Sequence, residues 1–188
     1  MSLRLLLIQR AARLQERPAL TATGWGTLSW SAWRNRVEGI ALGLAARPLP
    51  PSLHASGHGP WDWAAEVAVA CCGGVWDPGG EAIPDEILGG AQFNAEEGRG
   101  PYHDREVSPT TPFANEFTHQ ELLNRLQTWN GRLGWDHTSL LRIAPEATGT
   151  PEARAALWCA LFAGGHTQYL APGNPADDLE PFRSFWSK

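Results

Sequence analysis

Residues 64–78 read AAEVAVACCGGVWDP. The run from Trp61 to Cys72 is apolar enough for a buried helix, and Gly73-Gly74 stops it. Val75-Trp76 then makes a strand fragment, closed by the turn residues Asp77-Pro78-Gly79-Gly80. A helix that runs through a glycine pair straight into a short strand is half of a βαβ unit, and that reading sets the fold class.

Toward the N-terminus the pattern agrees. Leu3, Leu6, Leu7, Ala11 and Leu14 share a helical face, predicting a helix over 3–16 that Pro18 ends. Residues 19–22 and 27–30 flank Gly24 and Gly26 as a short hairpin. Ser31 is the expected N-cap of a helix through Trp33, Val37, Ile40, Ala41 and Leu44, stopped by Pro48 and Pro50-Pro51. A brief strand over 52–55 leads into the Gly/Pro turn at 57–60.

Toward the C-terminus the signal first weakens. A short helix over 84–88 precedes Gly98, Gly100, Pro101, Pro109 and Pro112 among acidic and polar residues, so much of 81–117 reads as an exposed, partly mobile connection. Structure resumes at Thr118-His119-Gln120-Glu121, a capping-box pattern, and the helix runs through Leu122, Leu123, Leu126 and Trp129 to Gly134. A strand over 139–144, a helix over 151–163 with proline at its first position, a strand over 167–170 and a closing helix over 177–186 complete the chain. The expected fold is α/β, a parallel-rich sheet flanked by helices, in one domain over 1–188. Within it, 1–80 forms a first lobe, 81–117 the connection and 118–188 a second lobe.

Composition narrows the function. With 188 residues, 43 % apolar and 19 % charged, the chain is globular and has room for a real core. A net charge of −5 argues against nucleic acid or an anionic membrane surface as the main partner. No run approaches the roughly 20 apolar residues of a membrane span, and Leu5-Leu6-Leu7-Ile8 is followed by arginines without a small-residue cleavage site. A cytoplasmic protein is the expectation. Cys71, Cys72 and Cys159 supply no disulfide framework and fit reduced, buried thiols. Of the 15 Lys+Arg residues only Lys188 is a lysine, which leaves almost no scope for lysine-dependent chemistry.

Three stretches carry a resemblance: Arg17-Pro18-Ala19-Leu20 with Thr27-Leu28-Ser29-Trp30, the run 64–78, and Ser108-Pro109-Thr110-Thr111-Pro112-Phe113-Ala114-Asn115-Glu116-Phe117-Thr118-His119. In this layout the chain resembles the N-terminal domain of acyl-adenylating enzymes, the acyl-CoA synthetase and ligase superfamily, in truncated and degenerate form. Residues 108–119 are similar to that family's phosphate loop, Ser-Gly-Thr-Thr-Gly-x-Pro-Lys-Gly followed by Thr-His. Ser108, Thr110, Thr111, Thr118 and His119 fall on matching positions. Leu161-Phe162-Ala163-Gly164-Gly165 through Leu170 resembles a later helix, turn and strand of the same domain.

The resemblance implies ATP and AMP as ligands, but the departures argue against both. Both loop glycines are prolines, Pro109 and Pro112, which have fixed φ and no N–H to offer an anion. The lysine position is Asn115, and Glu116 adds a negative charge that at ~4 Å and an effective dielectric of about 20 opposes phosphate by roughly 4 kcal/mol. Thr148 stands where the family has a histidine, and the segments carrying the ribose-binding aspartate and the catalytic lysine are not in this sequence. No cofactor is therefore expected. The leading reading is a non-catalytic binding or scaffold protein that pairs with a ligase subunit or with its own copies. The alternative is one part of a split acyl-CoA ligase, in quinone or lipid metabolism for example, completed by a partner chain. An unrelated α/β domain stays open as a third reading.

The other tempting residues have bland explanations. His54 and His58 are spaced like metal ligands but lie in a Gly/Pro stretch with no further ligand nearby, so no metal is expected. Cys71-Cys72 lack a neighbouring cation to lower their pKa, and no Gly-x-Ser-x-Gly elbow occurs. Asp85-Glu86 and Glu96-Glu97 read as solvated pairs, and His119 as a surface residue in a helix's first turn. The hydroxyls of Ser108, Thr110 and Thr111 are the residual candidates for holding an anion. Ten tryptophans are first a packing resource, and second a means of re-covering surface that a larger parent domain would have buried, by itself or against a partner.

Overall fold

The computed structural model describes residues 1–55, 59–90, 102, 105–114 and 116–187. His58, Glu96-Glu97, Gly98, Gly100, Pro101, Asn115 and Lys188 lie outside the described residues. The elements are α1 (Leu3–Leu14), β1 (Pro18–Ala22), β2 (Gly26–Ser29), α2 (Trp30–Ala45), β3 (Leu53–His54), α3 (Pro60–Cys72), β4 (Glu81–Ala82) and α4 (Asp85–Gly90). After these come β5 (Pro112–Ala114), β6 (Phe117–Thr118), α5 (His119–Leu133), β7 (Leu140–Ile143), α6 (Pro151–Ala163) and β8 (His166–Tyr169). Short 3-10 turns occupy Pro145–Ala147 and Glu180–Phe182.

Local chemistry sets the helix ends. The five apolar residues expected on the first helix are its buried set, and Ser2 caps it by accepting from the Leu5 N–H. The start of α2 corrects the expected cap. Ser29, not Ser31, accepts from the Ala32 N–H at 3.2 Å. The next amides are already committed, because Trp30 and Ser31 donate to the carbonyls of Arg17 and Gln15 at the end of α1. Gly73 ends α3, Gly134 ends α5 and Gly164 ends α6, each in the left-handed conformation that residues with a Cβ avoid.

The main sheet runs in the order β2-β1-β8-β7. β8 lies parallel to both β1 and β7, and β1 pairs antiparallel with β2. Strands from the two ends of the chain therefore share one sheet. A second layer pairs β3 with β4 in parallel and β5 with β6 antiparallel, and Trp76 bridges Leu53 on one side and Ala114 on the other. The architecture is the expected α/β, with a mixed, mostly parallel sheet flanked by helices.

Two expectations are corrected. The segment 81–117 is not simply an exposed connection: Ile83, Ile87, Tyr102, Phe113, Ala114 and Phe117 are all buried in the core. Its apolar residues are spaced too irregularly to show a period, yet all but Ala114 are large enough to anchor a turn. The closing helix over 177–186 is only the 3-10 turn Glu180–Phe182. Asp177 is held to β7 instead, its N–H donating to Arg142 O and its carboxylate taking the Arg142 guanidinium at 2.9–3.0 Å. That leaves Phe182, Phe185 and Trp186 to pack individually, Phe182 and Phe185 against Trp129.

The tryptophans mostly serve the core. Trp30, Trp33, Trp63, Trp76, Trp129 and Trp158 are buried, and among the described residues the exposed large apolar side chains are Met1, Leu5 and Leu140. No helix among the described residues is long and apolar enough to cross a membrane.

Glycines separate tight from open positions. A Cβ built on Gly80 would sit 2.7 Å from the Ser52 carbonyl carbon and 2.8 Å from Leu53 N, so the 77–80 turn reaches β3 only because that atom is missing. On α5, a Cβ at Gly131 meets nothing within 4 Å. Gly80→Ala is expected to cost about 2 kcal/mol, a fall in Tm of roughly 4–8 °C, while Gly131→Ala raises Tm by roughly 2–3 °C. Thermal unfolding of the two variants checks this, and an unchanged Tm for Gly80→Ala contradicts the close approach.

Candidate functional site

The residual candidates Ser108, Thr110 and Thr111 lie where the chain turns into β5, facing the start of α5. Phosphate loops work by leaving backbone N–H groups unspent and aimed at one point. Here they are spent. Ser108 Oγ accepts from the Thr110 N–H at 3.3 Å and shares a 2.9 Å hydrogen bond with Thr110 Oγ1. Thr111 N–H donates to Ser108 O at 3.1 Å. The opening amides of α5 point into the same turn and are closed by it, His119 N–H to Thr111 O at 3.1 Å and Gln120 N–H to Pro109 O at 2.9 Å. The expected capping box finishes the job: Glu121 N–H donates to Thr118 Oγ1 at 3.2 Å, and Glu121 Oε2 accepts from the Thr118 N–H at 2.8 Å.

Glu116 stands in the hairpin turn between β5 and β6 with φ +64°, a conformation that favours glycine. The structure thus brings Ser108, Thr110 and Thr111 together as a turn in which the Ser108 and Thr110 hydroxyls bond to each other and the Thr110 and Thr111 amides both donate to Ser108.

His119 corrects an expectation. It is fully buried, not on the surface, and its Nδ1 accepts from the Leu3 N–H at 3.2 Å, so it satisfies an orphan donor at the start of α1. Nε2, which must carry the proton of this neutral ring, is buried beside Phe113 without a hydrogen-bond partner. Burial lowers its pKa to about 4.

A polar cluster that sequence reading missed lies between α3 and α6. Glu66 accepts from Arg154 Nε and Nη2, both at 2.9 Å, and from Trp158 Nε1 at 2.8 Å, all in the core. A cavity of about 140 Å3 opens beside it, lined by His54, Asp62, Glu66, Trp76, Thr148 and Arg154 among others. Thr148 Oγ1 donates to Pro145 O at 2.7 Å, and the buried Tyr169 hydroxyl close by has no hydrogen bond of normal geometry. The signal was present in AAEVAVACC and ARAALWCA, where one charged residue interrupts each otherwise apolar run.

The remaining candidates offer no reactive group. Cys71, Cys72 and Cys159 are all buried free thiols. Burial pushes Cys72 and Cys159 up to about 12 and Cys71 higher still, which keeps them protonated. Among the described residues no group of His, Cys, Asp and Glu could hold a metal ion. Asp85 and Glu86 are exposed, as expected.

The fold defines a class. It is the fold of the N-terminal subdomain of adenylation domains from nonribosomal peptide synthetases, in keeping with the resemblance to acyl-adenylating enzymes. The N-terminal subdomain of Klebsiella oxytoca NpsA superposes with a TM-score of 0.63 at 15 % identity, over 93 % of this chain and 55 % of that one. The nonribosomal peptide synthetase FmoA3 gives a TM-score of 0.72 at 13 % identity, over 94 % and 23 %. IdnL7 gives 0.65 at 13 %, over 91 % and 45 %. The chain thus spans about half the length of the NpsA subdomain. No protein-family model and no curated protein matches the sequence.

His119 makes a pH prediction with a definite sign. Its folded pKa lies below the ordinary 6.5, so between the two values the unfolded chain binds more protons and stability falls as pH falls. The loss runs from near pH 6.5 down to about pH 4 and amounts to roughly 3 kcal/mol. His119→Asn keeps an acceptor for Leu3 N–H and removes this component. Urea midpoints at the two ends of that range should drop less in the variant than in the parent, and equal drops contradict the assignment.

Proposed function

We propose that this chain is a non-catalytic binding or scaffold protein on an adenylation-domain fold, working in the cytoplasm with a protein partner, either a ligase subunit or a second copy of itself. One observation carries the reading. The N–H groups of Thr110, Thr111, Thr118, His119, Gln120 and Glu121 are spent within the turn, where a phosphate loop would hold its donors for a nucleotide. Pro109 and Pro112 contribute no N–H, Glu116 adds like charge to any phosphate, and no lysine stands in the described loop. ATP binding would require breaking the Thr111–His119 and Pro109–Gln120 hydrogen bonds first. The neutral buried thiols offer no alternative nucleophile.

Calorimetry with ATP, AMP and an acyl-adenylate analogue in the presence of Mg2+ tests this. The expected result is no saturable heat at near-millimolar ligand. Micromolar binding that Thr110→Ala or Thr111→Ala abolishes would overturn it and favour the alternative, one part of a split acyl-CoA ligase completed by a partner chain.

A further inference from the structure

A second polar groove lies at the far end of α5, about 22 Å along the helix from the 108–118 turn at 1.5 Å per residue. It has a volume of about 190 Å3 and is lined by Arg10, Arg13, Asn130, Trp135, His137 and Phe162 among others. Arg10 and Arg13 stand three residues apart on one face of α1. Among the described residues neither makes a salt bridge, whereas Arg34, Arg142, Arg154 and Arg183 do.

The Arg10 guanidinium lies over the Phe162 ring at 5.7 Å, and its Nε is buried with no hydrogen-bond partner. The one carboxylate on the groove does not compensate it. Asp136 Oδ1 takes the Thr138 N–H at 2.8 Å and the Thr138 hydroxyl at 2.6 Å. Asn130 also has a buried amide oxygen without a partner, so its amide orientation is set by no protein hydrogen bond and its NH2 can turn toward a ligand.

Two guanidiniums on one helix face, neither in an ion pair among the described residues, oppose each other, and burial of the Arg10 Nε adds to the cost. Burial and Arg13 both lower the Arg10 pKa, the signature of an uncompensated pair of cations. Guanidinium forks match the oxygens of a phosphate or carboxylate, and Trp135 and Phe162 add aromatic lining.

We infer that the groove between α1, α5 and α6 is a binding site for a small anion carried on a flat ring, an aryl phosphate monoester, held by Arg10 and Arg13 with Trp135 and Phe162 beside the ring. Two arginines favour a dianion over a monoanion. The site is independent of the closed turn at 108–118, so nucleotide binding there and anion binding here can fail separately.

Phenyl phosphate, benzoate and inorganic phosphate titrated into the full chain, followed by calorimetry and by the ligand-induced rise in Tm, test the site. Phenyl phosphate is expected to saturate, to bind more tightly than the other two, and to weaken as salt rises. Arg13→Gln, at an exposed position, should weaken it about tenfold or more, as should Arg10→Gln. Should Arg10→Gln fail to fold, Arg13→Gln and Arg10→Lys decide the matter, the lysine retaining charge but losing the fork. No saturable binding at millimolar ligand, or binding that Arg13→Gln leaves unchanged, overturns the proposal.

Discussion

The Glu66 carboxylate is the point on which the two ends of the chain meet. It takes both a forked guanidinium from Arg154 and the Trp158 indole N–H, deep between α3 and α6. Breaking such a pair from one side typically costs about 3–5 kcal/mol, because the surviving charge is left buried and alone. The pair ties α3 to α6 at this one point in the core. Around that point Trp158 meets Trp63 and Phe113 edge to face, with ring centroids 5.0 and 5.4 Å away. Phe113 belongs to β5, so the clamp also places the turn that begins at Ser108.

That turn is held together by donors and acceptors of its own residues. The Thr111 and Pro109 carbonyls accept from the first amides of α5, the Ser108 and Thr110 hydroxyls bond to each other, and His119 behind them caps the start of α1. The His119–Thr111 and Gln120–Pro109 contacts would have to open for those amides to reach an anion. A loop that stabilises the fold with its donors no longer has them to give. The core rests on the Glu66 clamp and on apolar packing, neither of which needs a ligand.

Where apolar residues follow a strict period, reading the sequence was enough. The buried set of α1, the glycine-stopped α3 and the capping box of α5 all stand where spacing and cap chemistry put them. Reading failed where position depends on distant partners. Ser31 looked like a cap, but the carbonyls of Gln15 and Arg17 reach α2 from another helix and shift its start. His119 sits in a first turn that looks exposed by sequence, and is buried because α1 packs over it. The helix expected over 177–186 is lost to the Arg142–Asp177 contact, a pairing 35 residues apart. The resemblance in 108–119 was visible in the residue types, yet the closure of its donors was not, since prolines reveal only which N–H groups are missing.

The Thr111, His119 and Gln120 amides are already satisfied within the turn, and hydrogen exchange reads this directly. Exchange of the Thr111, His119 and Gln120 N–H groups, followed by NMR with and without ATP and Mg2+, is the measurement to make. The account predicts that all three are protected and that nucleotide changes neither their exchange nor their chemical shifts. Rapid exchange in the free protein, with protection and shifted resonances appearing on addition of ATP, would show an open cradle and contradict it.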